Sequence, residues 1–175
     1  MMLQAAVRVL QGNKMGAVLG ELHRSESRLA EALTGLADEQ RMDHEIFHVA
    51  RDLSEWSREH VRVLAEAGRD YGLDLSAGSE QPADDSLAQK AKHKGAEMLG
   101  RFHEPSLLLL TGLRHIHVLA AGVSVDWEVL AQGAQALKDR ELLALAQECH
   151  PQTLRQLRWA NAKVKEMAPQ VIATG

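Results

Sequence analysis

Across four long segments of this chain apolar residues recur every three or four positions, and almost nowhere do they alternate every two. That spacing puts them on one face of an α-helix, and a strand would need a period of two. Composition agrees. Alanine and leucine dominate, both strong helix formers, while aromatics are 3% of the chain, prolines number four and runs of β-branched residues are nearly absent. An all-α protein follows, and 175 residues suit one domain spanning 1–175 with a substantial core.

The first helix is expected from about Met15 to Leu36, with Met15, Val18, Leu22, Leu29, Leu33 and Leu36 on its stripe. The second should run from Asp43, an N-cap followed by Glu45 in the first turn, to about Tyr71, with Gly68 and Gly72 marking its end. Its stripe is Ile46, Val49, Leu53, Trp56, His60, Leu64 and Ala67. Residues 72–105 form a turn-rich connection in which 85–100 has the makings of a short helix. The third helix opens at Pro105, a residue suited to a first turn, and runs to about Leu137. The fourth runs from near Asp139 to about Met167, ahead of Pro169, and Pro151 should split it at His150. A connection this long between helix pairs reads as a crossover rather than a hairpin turn, giving two helical hairpins joined lengthwise.

The formal net charge of -4 argues against a nucleic-acid partner, and the short cluster Lys90, Lys92, Lys94 with His93 reads as solvated surface. The single cysteine, Cys149, forbids an intramolecular disulfide and points to a reducing, cytoplasmic setting. No segment reads as a membrane span, and the opening "MMLQAAVRVLQGNKMG" lacks the long apolar core of a signal peptide.

The informative residues are polar ones placed on the apolar stripes. Glu26 falls within ~40° of the first stripe's centre and His60 at the middle of the second. His117 and Ser124 lie on the third stripe, Thr153 and Gln156 on the fourth, and Glu128 is ~60° off the third. Buried polar groups are costly without partners, so these must build a network, hold water or bind something. If the first two helices turn around 37–42, Glu26 is level with about Ser54 and His60 lies roughly 9 Å deeper. Glu26 is then the acidic partner for His60 only at full reach or through water, with Thr153 and Gln156 as rivals. A neutral network is favoured over a bound ion, and His60→Leu should preserve or raise stability.

This layout resembles the ferritin-like superfamily, a four-helix bundle with one crossover connection. The resemblance covers the whole chain in architecture, and its motif is degenerate. Di-iron members carry a Glu on each of two helices and a Glu-x-x-His on each of the other two. Glu26 matches the first-helix carboxylate and His60 the second-helix histidine, but Ser57 stands where that motif has Glu. The fourth helix reads Thr153-Leu-Arg-Gln156 instead of Glu-x-x-His. The resemblance implies a bundle with a binding or structural role, no cofactor and no assembled catalytic group. The alternative it implies is an iron or other divalent-metal protein, of storage or oxidase type, with ligands drawn from Glu26, His60, His117 and Glu128. The one true Glu-x-x-His, Glu45-Ile-Phe-His48, points off the stripe at a solvated first turn. A hemerythrin-like site would need several inward histidines, which His44, His48, His115 and His117 do not supply. Cys149 beside His150 reads as a small buried side chain, since adjacent helical residues diverge by ~100°.

Leu107 to Leu110 are four consecutive leucines and would cover a helix's whole circumference. Either residues 84–102 fold over them or a second copy does, and a homodimer is expected.

Overall fold

The computed structural model describes residues 2–75 and 104–173, with side chains from Lys14 onward. They form four helices: α1 (Met2–Glu39), α2 (His44–Asp70), α3 (Pro105–Leu137) and α4 (Arg140–Ala173). The short helix expected over 85–100, the basic cluster Lys90 to Lys94 and the covering segment 84–102 lie outside the described residues.

Helix ends follow local chemistry. Asp43 caps α2, its carboxylate accepting from the Ile46 N–H at 3.0 Å, with Glu45 in the first turn. At the other end the Tyr71 and Leu73 N–H groups both reach the Gly68 carbonyl, and Gly72 takes φ +73, a left-handed value that glycine adopts without steric cost. Pro105 sits in the first turn of α3. Lys138, at φ 58, turns the chain directly into α4, where Asp139 accepts from the Leu142 N–H. Asp139 also accepts from the Tyr71 hydroxyl at 2.6 Å, tying the α3–α4 corner to the end of α2.

Four packed pairs set the topology. In the antiparallel α1–α2 hairpin, Arg58 donates to Thr34 and His60 meets Glu26. In the α3–α4 hairpin, Ser124 meets His150 and His117 meets the Leu157 carbonyl. α1 runs antiparallel to α3, with Met15 against Gly133 and Leu36 against Gly112. α2 runs antiparallel to α4, from the Lys163–Glu45 ion pair to Tyr71–Asp139. α2 and α3 are therefore parallel. The chain leaves α2 at one end of the bundle and enters α3 at the other.

The core is a column of leucines on α1 (Leu19, Leu22, Leu29, Leu33) facing Leu64, Leu113, Ile116 and Leu130, each essentially sealed from solvent. Each such side chain contributes about 1.5–3 kcal/mol by leaving water.

Three expectations need correction. α4 is not split at Pro151: it runs unbroken through both Pro151 and Pro169 to Ala173. Pro151 removes one backbone hydrogen bond, but its own position is exposed while Cys149, Thr153 and Gln156 around it are buried, so packing carries the helix through. The inward face of α2 is rotated from the expected stripe, running through Ala50, Ser57 and Gly68, with Val49, Trp56 and Ala67 only half-buried. Finally, α3 does contain an 18-residue window of mean hydropathy 1.5, long and apolar enough to cross a membrane by length and composition, though a third of that window is buried within the bundle.

Candidate functional site

Halfway along the bundle each helix contributes to one polar layer. α1 places Glu26, 0% exposed, between the apolar Leu22 and Leu29. α2 places His60, 1% exposed, one turn beyond Ser57. α3 contributes Trp127 and α4 contributes Cys149, Gln152, Thr153 and Gln156.

Glu26 is the centre. Its Oε1 accepts from His60 Nδ1 at 2.8 Å, from Trp127 Nε1 at 2.7 Å and from Thr153 Oγ1 at 3.2 Å. His60 spends its other ring nitrogen on Gln152, Nε2 donating to Oε1 at 3.0 Å. Its ring also stands edge-on to the Trp127 indole, 5.5 Å between centroids. Gln156 donates to the Leu53 carbonyl and to Ser57 Oγ, which fixes it on α2. Two buried acceptors, Glu26 Oε2 and Gln156 Oε1, meet no donor from the protein.

Both ring nitrogens of His60 face acceptor oxygens, an arrangement that suits the doubly protonated imidazolium. Burial by itself lowers the proton affinity of the ring. Cys149 and Glu26 beside it outweigh that and raise its pKa from 6.5 to about 10. A protonated His60 ring donates to both Glu26 and Gln152 in charge-assisted hydrogen bonds. The raised His60 pKa favours an ion pair with Glu26 over the neutral network expected from the sequence.

Between pH 6.5 and 10 the folded protein holds a proton on His60 that the unfolded chain releases. The ion pair's contribution is complete below pH 6.5 and disappears as pH rises through about 10. We expect stability to fall across this window by on the order of 5 kcal/mol, a drop in Tm of about 15 °C for a chain of this size. Thermal melts by circular dichroism at half-unit pH steps measure it. A flat profile from neutral to alkaline pH would show that His60 is neutral in the folded state.

The structure brings together Glu26, His60, Thr153 and Gln156 among the residues singled out in the sequence. It leaves the others elsewhere. His117 is half-buried and bonded to the Leu157 carbonyl, and Glu128 is exposed on α3. Ser124 is buried but meets His150. Glu45 pairs with Lys163 at 2.6 Å, and His48 stacks on His44 at the solvated start of α2. Cys149 turns away from its neighbour in sequence and lies against His60 of another helix.

The expected axial gap between Glu26 and His60 is about halved because α1 extends to Glu39, three residues past its expected end, which moves the turn to 40–43, so Glu26 lies level with about Ser57 and within side-chain reach of His60 one turn on. Sequence reasoning missed Trp127 as the strongest new donor, along with Ser57 and Gln152. Trp127 had a signal: a core tryptophan carries an N–H that needs an acceptor. Gln152, next to Pro151 in a turn expected to be broken, had none.

No group of three or more His, Cys, Asp or Glu among the described residues is placed to hold a metal ion. Two surface concavities flank α1, one of them lined by Ser27, Thr34, Asp38 and Arg58, and none of their lining residues belongs to the Glu26–His60 layer. The chain matches no family model, no curated protein and no solved structure.

Proposed function

We propose that this chain is a ferritin-like bundle protein in which a proton-carrying Glu26–His60 pair occupies the layer where relatives of that kind bind metal, and that its role is binding or structural. The connectivity supports the reading: two antiparallel hairpins with α2 parallel to α3. The register of polar residues supports it too, with one inward carboxylate on α1, Ser57 and His60 three apart on α2, and Thr153 and Gln156 three apart on α4.

The observation that carries it is the shortage of anionic oxygen in the layer. A pair of divalent metals needs several anionic oxygens, and Glu26 is the one buried carboxylate among the described residues. One of its oxygens already takes three donors, and the ring that would be a ligand presents N–H groups on both sides. The residue set does not fit a di-metal centre. The alternative of iron or another divalent metal on Glu26, His60, His117 and Glu128 would require ligands that stand in different places on the bundle. A reducing, cytoplasmic setting accords with a chain whose single thiol is buried.

Elemental analysis of protein purified from iron-, manganese- and zinc-supplemented medium is the test. Far less than one metal per chain is expected, unchanged in Glu26→Gln. Stoichiometric metal that disappears in Glu26→Gln or His60→Ala would replace this reading with the metal-protein one.

A further inference from the structure

The outer face of α3 carries apolar residues that the described bundle does not use. Val118 is 52% exposed, Val125 57% and Val129 49%, and Gly122 between them is open, with no atom near where a Cβ would stand. With His115 these residues fall at alternating intervals of three and four, the seam spacing of a coiled coil. The four-leucine run is a weaker candidate for a docking face, because Leu109 is buried and Leu107, Leu108 and Leu110 are only partly exposed.

Charge on the flank of the seam selects the occupant. Arg114 and Glu128 are both exposed, form no ion pair among the described residues, and lie two heptads apart in the same flanking position. When two such helices pack antiparallel, that flank faces its own copy. Placing Gly122 opposite the partner subunit's Val118 sets His115 opposite the partner subunit's Val125, and leaves Arg114 two residues, roughly 3 Å along the axis, from the partner subunit's Glu128, within reach of two long side chains. The two-fold axis then generates the same contacts a second time. One choice of register thus satisfies the apolar seam, the close approach at the glycine and both charges. A parallel pairing would instead face like flank to unlike flank and leave Arg114 and Glu128 apart.

We propose that two copies of this chain associate through α3, antiparallel, with Gly122 at the crossing and reciprocal Arg114–Glu128 ion pairs at the rim. The apolar stretch of α3 that has the composition of a membrane span is on this reading a protein-facing seam.

Light scattering on the full chain tests it, the dimer being twice the 19.3 kDa monomer mass. Val118→Glu should weaken dimerisation at least about tenfold, because it buries a charge against glycine in the seam. Arg114→Glu and Glu128→Arg should each weaken it, and the double reversal should restore it, since the pair is remade with inverted sign. These side chains are exposed in the monomer, so circular dichroism should stay constant throughout. A monodisperse wild-type monomer overturns the proposal, whether residues 76–103 cover the stripe or the chain co-floats with liposomes. A dimer indifferent to Val118→Glu, or one in which the double reversal is no better than the single changes, overturns it as well.

Discussion

Replacing His60 with leucine should destabilise the protein by about 3–5 kcal/mol, the cost of stranding one partner of a buried ion pair. The Glu26 carboxylate would keep Trp127 and Thr153 as donors but lose its counter-charge, and would then either stay charged in the core or take up a proton. The double change Glu26→Gln with His60→Leu should lie within about 1.5 kcal/mol of the wild type. The glutamine oxygen still accepts from Trp127 and Thr153, and no charge remains to be buried. Chemical denaturation of the four members of this cycle gives the coupling between the two sites directly. A His60→Leu protein at or above wild-type stability would restore the neutral network anticipated from the sequence.

Trp127→Ala should cost about 5 kcal/mol, at the upper end for a large buried side chain. Trp127 is the largest fully buried residue, and its removal combines a cavity on α3 with the loss of a 2.7 Å donor to a buried carboxylate. Trp127→Phe separates the two contributions. It keeps much of the volume and loses the N–H, so about 1.5–3 kcal/mol is expected, the range for a hydrogen bond to a charged group. Urea midpoints with unchanged slopes would measure both. If the phenylalanine variant matches the wild type, the indole N–H contributes nothing to holding Glu26.

The dependence on pH belongs to the same network. The alkaline loss of stability should vanish in the Glu26→Gln, His60→Leu double variant, which has no proton to release there. Its persistence would move the alkaline transition to another group. Tyr71 is the nearest rival, its hydroxyl raised by burial and by its bond to Asp139.

Much of this molecule was written locally. Four helices, the Asp43 cap, the glycine-marked end of α2 and the Pro105 start of α3 follow from periodicity and from capping chemistry, which act within a few residues. The burial of Glu26, His60, Thr153 and Gln156 was equally legible, because a polar residue at the centre of an apolar stripe goes where the stripe goes. The protonation state was not legible. It depends on which groups from three other helices meet His60, and a shift of a few residues in the α1–α2 register separates a water-bridged approach from a 2.8 Å contact.

The continuity of α4 through Pro151 was likewise a tertiary decision. Local rules break a helix at an interior proline, but Cys149, Thr153 and Gln156 on both sides of it are anchored to a common core. Glu128 and His117 show the converse. Both lie within a quarter turn or so of the α3 stripe, yet neighbouring helices bury only a narrower arc, leaving one in solvent and the other at the boundary. Sequence determined which faces turn inward, since periodicity is a property of each helix alone. Only packing decided how four inward faces interlock, and with them the partner, charge and burial of every polar group at the centre.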